Sequence, residues 1–428
     1  MLVQFTVGNY RSFAEPQTLS FEATSISEYP ENTFESNNTK LLNGIALYGA
    51  NSSGKSNFLG AIGEMKDFIF STFNKSSSNE LNYDPFLLRE SLSNSPSIFE
   101  VVFIHKSMQY RYGFEVTSKS IEGEWLFHTR QNKESPLFVR EKDGIEIFSE
   151  FQEGINLESK TRNNSLFLTV VDQFNGEISN QIISWFHNFN VIDGIKHNNY
   201  RSITYEMLEN EEHNDKLNNF FKELDLGFQT IEIIKEEFDP HKLNSNLPEE
   251  LLQKLITDLE GKNMTTMLSS HNVYDDQLNP TGTTKEFNVR QRESSGTNKV
   301  IDLSGPIFDT IKDGGILAID ELDAKLHPLL TIALVRLFHN KSINTKNAQL
   351  IFSTHNTTIL KRGSLRRDQI YFIEKNKAEA SEVYSLVEYD MNGKKVRKDN
   401  SFEKDYLNRR YGAVPNIGLL NDLEWQEK

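Results

Sequence analysis

The chain predicts an α/β fold interrupted by an antiparallel β lobe and a mostly helical insertion, and three observations carry that prediction. A short apolar run, Gly44-Ile45-Ala46-Leu47-Tyr48, leads into the glycine loop Gly49-Ala50-Asn51-Ser52-Ser53-Gly54-Lys55-Ser56 and then into an amphipathic stretch that opens at Asn57-Phe58-Leu59. Far along the chain, Ile316-Leu317-Ala318-Ile319 and Gln349-Leu350-Ile351-Phe352 are also apolar at consecutive positions. Such runs imply strands covered on both faces, as in a parallel sheet between helices. Residues 98–148 instead fall into short runs separated by turn residues, the pattern of an antiparallel meander.

The 428 residues allow one α/β core with a large insertion, or two to three packed units. A net charge of -15 argues against a surface coated for nucleic acid, though not against a local basic groove. With no cysteine, disulfides, thiol catalysis and zinc–thiolate sites are excluded. A reducing cytoplasm fits that composition. The first residues enter strand-like alternation without a charged leader, and no run approaches eighteen apolar residues, so neither an export signal nor a membrane span is expected.

In chain order, residues 2–7 and 17–23 predict two strands around the turn Gly8–Phe13, and the polar stretch 25–40 predicts a loop. The strand and helix that flank the glycine loop follow, then a Ser/Asn-rich break at 71–82. These make the first half of a head, residues 1–95, with the β lobe at 96–150. Residues 151–264 predict helices at 178–189, 214–224 and 247–259, with a strand only at 230–235. The second half of the head spans 265–390, with a hairpin about Asp275–Pro280, helices at 298–312 and 328–339, and sheet strands at 316–321, 349–354, 369–373 and 383–386; a tail, 391–428, closes the chain.

The chemistry concentrates where strands end. Gly49 and Gly54 free the backbone to wrap a polyphosphate, with successive N–H groups and the helix start aimed at it. Asn51, Ser52, Ser53, Lys55, Ser56 and Asn57 complete the expected contacts, Lys55 neutralising β- and γ-oxygens and the Ser56 hydroxyl ligating Mg²⁺. Asp320 and Glu321 end a buried strand at the edge where parallel sheets bind ligands. Asp320 is expected to hold the metal through water, and Glu321 to take a proton from the attacking water. His355, directly after Ser353-Thr354, is placed to contact a γ-phosphate as a donor.

Together, the phosphate loop, Ser294-Ser295-Gly296, Asp320-Glu321 and Ser353-Thr354-His355 resemble the ABC-type ATPase head of the SMC, RecF and OLD group. The wording is closest to the stand-alone ATPases of restriction-linked and abortive-infection loci, the RloA and AbiL type, on Asp320-Glu321-Leu322-Asp323-Ala324-Lys325-Leu326-His327-Pro328, Ser353-Thr354-His355-Asn356 and the tail Tyr411-Gly412-Ala413-Val414-Pro415. The resemblance implies ATP and Mg²⁺ as ligands and a two-fold homodimer clamping two nucleotides, Ser294 and Gly296 closing the partner's site. Glu293-Ser294-Ser295-Gly296-Thr297 keeps only the serine and the second glycine of the usual L-S-G-G-Q signature, and Gln173 is a guess at the lid glutamine.

Three functions compete on these residues. An ATP-gated sensor or scaffold controlling a separate effector protein, in anti-phage defence, follows from the locus-type resemblance. A RecF-like repair clamp on DNA would use Lys361-Arg362, Arg366-Arg367, Lys394-Lys395, Arg397-Lys398 and Arg409-Arg410; residues 361–410 hold thirteen Lys/Arg against nine Asp/Glu, a balance of +4 that also fits a solvated basic face. A self-contained OLD-like nuclease fails on length, with only about seventy residues after His355 and no acidic metal-binding cluster among them.

Overall fold

The computed structural model describes residues 1–71, 76–196, 200–240, 248–361, 365–390 and 395–415. Two compact units result: the described residues of Met1–Ile195, Thr310–Ala324 and Pro328–Lys428 form the first, and those of Lys196–Asp309 with Lys325–His327 the second.

The first unit is organised by a six-stranded sheet in the order Phe189–Asp193, Ile316–Asp320, Gln349–Ser353, Gly44–Tyr48, Ile370–Lys375, Ser381–Ser385. The first five are parallel and the sixth runs antiparallel at the edge. Every residue of Gly44–Tyr48 and of Gln349–Ser353 is buried, which is why both runs are almost uninterruptedly apolar. The helix Lys55–Ser71 leaves the glycine loop and buries Phe58, Ile62, Met65 and Ile69 along one face.

A second sheet of seven antiparallel strands has the order Gly144–Ile147, Lys133–Glu141, Ile121–Arg130, Met108–Val116, Ser97–His105, Leu2–Gly8, Gln17–Ser20. The predicted meander is therefore continued by the N-terminal strands, Leu2–Gly8 pairing with Ser97–His105. The loop helix packs against this sheet and its first turn through aromatic rings: Phe58 meets Phe5 and Phe13, and Phe68 meets Phe99 and Phe114. Each buried ring contributes roughly 1.5–3 kcal/mol. A polar stitch joins the two sheets. Gln349, fully buried, accepts from the Leu2 N–H at 2.7 Å and donates to the carbonyls of Leu2 at 3.0 Å and Leu42 at 3.2 Å.

Two expectations need correction. Phe189, expected to end a helix within a mostly helical insertion, instead opens Phe189–Asp193, the edge strand of the parallel sheet, in register with Ile316–Asp320. Its five residues follow the helix Glu177–His187 almost at once, and only Phe189 is buried, so the run lacks the apolar continuity of its neighbours. The polar stretch 25–40 is not all loop: Thr33–Ser36 pairs with Thr39–Leu42 as a hairpin. Its turn is Asn37-Asn38, at φ 48° and 61°, a left-handed pair that asparagine tolerates and tight hairpins require.

The second unit holds the helices Arg201–Glu209, Glu211–Glu223, Glu249–Leu259 and Val289–Arg292, and Ser295–Asp313 as far as Asp309. They accompany a three-stranded antiparallel sheet, Thr230–Glu237, Asn263–Tyr274 and Pro280–Asn288, whose last two strands are the predicted hairpin. Asn210 caps Glu211–Glu223 by accepting from the Glu212 and His213 N–H groups. Leu247 of the predicted third helix, Arg362 and Lys394 of the basic stretch, part of the 71–82 break and residues 416–428 of the tail lie outside the described residues. Among the described residues no helix is long and apolar enough to cross a membrane.

Gln349→Leu keeps the side-chain size but strands the Leu2 and Leu42 backbone groups in the interior. Urea unfolding should show a loss of about 3 kcal/mol, the cost of buried polar groups left unsatisfied. An unchanged midpoint would mean the two sheets are held together without this stitch.

Candidate functional site

The glycine loop sits at the carboxyl end of a central parallel strand, where neighbouring strand ends crowd it. A side chain at Gly49 would fall on the Ile373 carbonyl and the Ser53 hydroxyl. Gly54 lies at φ 115°, and a side chain there would strike the Ser381 hydroxyl. Ser381 in turn donates to the Ser53 carbonyl at 2.6 Å. The Ser53 hydroxyl is buried and has no hydrogen-bond partner among the described residues.

Lys55 is nearly buried and folds back on the loop, donating from Nζ to the carbonyls of Gly49 at 2.8 Å and Ala50 at 3.0 Å. Burial pulls its pKa below the ordinary lysine value, while the carboxylates of Asp320, Glu321 and Asp323 act in the opposite sense.

Asp320 and Glu321 are held by one hydroxyl. Ser353 Oγ, wholly buried, donates to Asp320 Oδ1 at 2.5 Å and accepts from the Glu321 N–H at 2.7 Å. Glu321 takes φ 52°, a left-handed conformation unusual for a residue with a side chain, so the chain turns sharply at the carboxylate. The Leu322 N–H donates to the Ser353 carbonyl at 3.1 Å and completes the turn. His355 is fixed through its own N–H, which lies 3.2 Å from each carboxylate oxygen of Asp323. Its imidazole pKa is lowered, first by burial and then by the charge of Lys55, with the three acids opposing. Near neutral pH the ring is therefore uncharged, with one N–H to donate and one nitrogen to accept.

These pieces share one cleft of about 370 Å³, lined by Asn51 to Asn57, Glu321 and His355, with Ser12 and Lys375 in addition. Of the residues singled out from sequence in this unit, Asp320 and Gly49 do not line the cleft. Gln173, at the end of the helix Phe167–Gln173, is exposed and does not line it. Ser12 was overlooked because its turn, Gly8–Phe13, reads as an ordinary connection; it is tied in by Asn57 Nδ2, which donates to Ser12 Oγ at 2.9 Å, and by the Ser381 N–H, which donates to its carbonyl at 2.7 Å. Lys375 carried a usable signal, since it ends the strand beside the loop strand on the ligand-binding edge of the sheet.

Ser294 and Gly296 belong to the second unit. The exposed Ser294 caps the helix Ser295–Asp313, its Oγ accepting from the Thr297 N–H at 3.1 Å. A side chain on Gly296 would stand 2.9 Å from the Lys325 carbonyl, so this glycine already has a packing reason within its own chain. Glu293 is anchored from the hairpin strand Asn263–Tyr274, where Ser269 Oγ donates to it at 2.6 Å and His271 Nε2 lies 2.8 Å away.

Residues 45–361 match the family described as "AAA domain, putative AbiEii toxin, Type IV TA system". The chain belongs to this family. The match begins inside the loop strand and ends just beyond His355, so this AAA-domain protein has the whole cleft except Ser12 and Lys375 within the family region. Among solved structures it is similar to the SMC head domain from Thermotoga maritima, at 14% identity over 90% of this chain and 98% of that one, TM-score 0.40. The Smc head domain from Pyrococcus furiosus, bound to the C-terminal domain of ScpA, gives 11% identity over 90% and 96%, TM-score 0.37. The recombination mediator RecF, in its ATPrS complex, gives 14% over 90% and 98%, TM-score 0.30. No curated protein matches the chain.

Proposed function

We propose that this AAA-domain protein binds Mg-ATP in the cleft of its first unit, hydrolyses it, and uses the closing and opening of a two-fold pair to control a separate effector protein. One observation carries the catalytic part: the loop residues 51–57, Glu321 and His355, drawn from opposite ends of the chain, line a single cleft. The residues fit the ligand. Gly49 and Gly54 leave a cradle that side chains would fill, and Ser53 offers a buried hydroxyl without a partner among the described residues. Lys55 is already positioned on the loop, where it would exchange the Gly49 and Ala50 carbonyls for β- and γ-oxygens. Ser56 and Asp320 would hold Mg²⁺, Asp320 through water. When bound, that ion supplies neutralisation of charge on the β- and γ-oxygens.

Glu321 is the proposed general base, since it lines the cleft at a sharp turn whose N–H is held by Ser353. A neutral His355 supplies an N–H toward the γ-phosphate. Ser294 and Gly296 would complete the partner's site, which makes the pair isologous. The place in anti-phage defence rests on the locus-type resemblance; the family description names a toxin and a toxin–antitoxin system, not a repair protein. The basic stretch bears on the repair alternative alone. Arg366 is wholly buried against Asp368 at 2.7 Å, Arg367 pairs with Glu28 at 2.8 Å, and Arg410 pairs with Asp405 at 3.0 Å, which leaves less cationic surface for a RecF-like clamp than the sequence promises.

Glu321→Gln should still bind Mg-ATP but turn over at least ~100-fold more slowly in single-turnover hydrolysis, the usual loss on removing a positioned base. Hydrolysis at the wild-type rate would make Glu321 a bystander. The trans arrangement is tested by mixing Lys55→Ala chains with Ser294→Arg chains, each inactive alone. The mixed pair has one composite site with both halves intact, and ATPase activity should return. Full activity of Ser294→Arg by itself would contradict the arrangement.

A further inference from the structure

The strand that the sequence concealed, Phe189–Asp193, ends beside the acidic corner. Its register sets Asp193 opposite Asp320, and the next residue, Gly194, donates its N–H to the Asp320 carbonyl at 2.7 Å. The approach is closer than any other residue allows. A Cβ on Gly194 would stand 2.5 Å from the Asp320 oxygen, 2.6 Å from the Glu321 oxygen and 3.0 Å from the Glu321 carbonyl carbon. All three are backbone atoms, so no side-chain rotation relieves the clash; the Asp320–Glu321 turn itself would have to move. Asp193 directs the chain past this point, its Oδ1 accepting from the Ile195 N–H at 2.8 Å. One residue later, at Lys196, the second unit begins.

Glu321 is thus gripped on two sides. The Ser353 hydroxyl holds its N–H, and Gly194 lies against its carbonyl while bonding the preceding one. Because Glu321 sits at φ 52°, its carboxylate direction follows the orientation of these two peptide planes.

We infer that the Asp193–Gly194 turn is a positioning element for Glu321, setting the aim of the proposed base from the first residues of the connection into the second unit. This rests on Glu321 acting as the base. It gives the insertion a covalent handle on hydrolysis, since a pull on the chain at Lys196 is felt at a turn with no room to yield. Displacement of a reacting group by about 1 Å can cost on the order of 10²-fold in rate.

A double-mutant comparison by single-turnover hydrolysis, with ATP affinity measured in parallel, tests it. Gly194→Ala should slow hydrolysis at least ~10-fold while leaving ATP affinity within about twofold, and should add nothing in the Glu321→Gln background. A further slowing in that background equal to the slowing in wild type would overturn the inference and leave Glu321 as base. A wild-type rate for Glu321→Gln alone would overturn both. If Gly194→Ala does not fold, Asp193→Ala removes only a side chain: a severalfold slower rate at unchanged ATP affinity, absent with Glu321→Gln, supports the inference, and an unchanged rate overturns it.

Discussion

Parallel pairing of Gly44–Tyr48 with Gln349–Ser353 on one side and Ile370–Lys375 on the other decides where chemistry can sit in this protein. Strands that run the same way end at the same edge, so the loop after Tyr48, the His355 segment after Ser353 and Lys375 emerge together. Ile316–Asp320 joins the same array one strand further out and brings Glu321 to that edge. The seven-stranded sheet contributes one turn to the cleft, the Gly8–Phe13 connection that carries Ser12. Its larger role is to cover the loop helix with aromatic side chains, which steadies the helix start where phosphate would bind.

Charge in the cleft is balanced by proximity rather than by solvent. The carboxylates of Asp320, Glu321 and Asp323 act on Lys55 against the effect of its burial, and on His355 against burial and the charge of Lys55. Lys55 donates to the Gly49 and Ala50 carbonyls, which meet the ammonium with partial charges only. The proposed polyphosphate would offer it full negative charge. The Ser353 hydroxyl, shared between Asp320 and the Glu321 N–H, holds the proposed metal ligand and the proposed base in a fixed relation, so preorganisation here would reside in a side chain with no direct part in the reaction.

Legibility from sequence followed the range of the forces involved. The loop, its strand and its helix are contiguous, and Asp320-Glu321 and His355 announce themselves by ending apolar runs; all were readable locally. Phe189–Asp193 was not, because an edge strand with one buried residue has no periodicity to show and its identity comes from pairing with residues far along the chain. The Asn37-Asn38 turn did carry a local signal, hidden within a polar stretch that looked like loop throughout. Ser12 and Lys375 reach the cleft only through tertiary arrangement, and Arg366 looked like groove charge until its burial against Asp368 was seen.

Calorimetric titration of Mg-ATP into the wild-type protein and into Lys55→Ala measures directly whether the cleft is an ATP site that needs Lys55. The wild type should bind one nucleotide per chain, and the variant, lacking the cation that meets the β- and γ-phosphates, should show no measurable binding at the same concentrations. Equal affinity in the two proteins would contradict the assignment of the cleft.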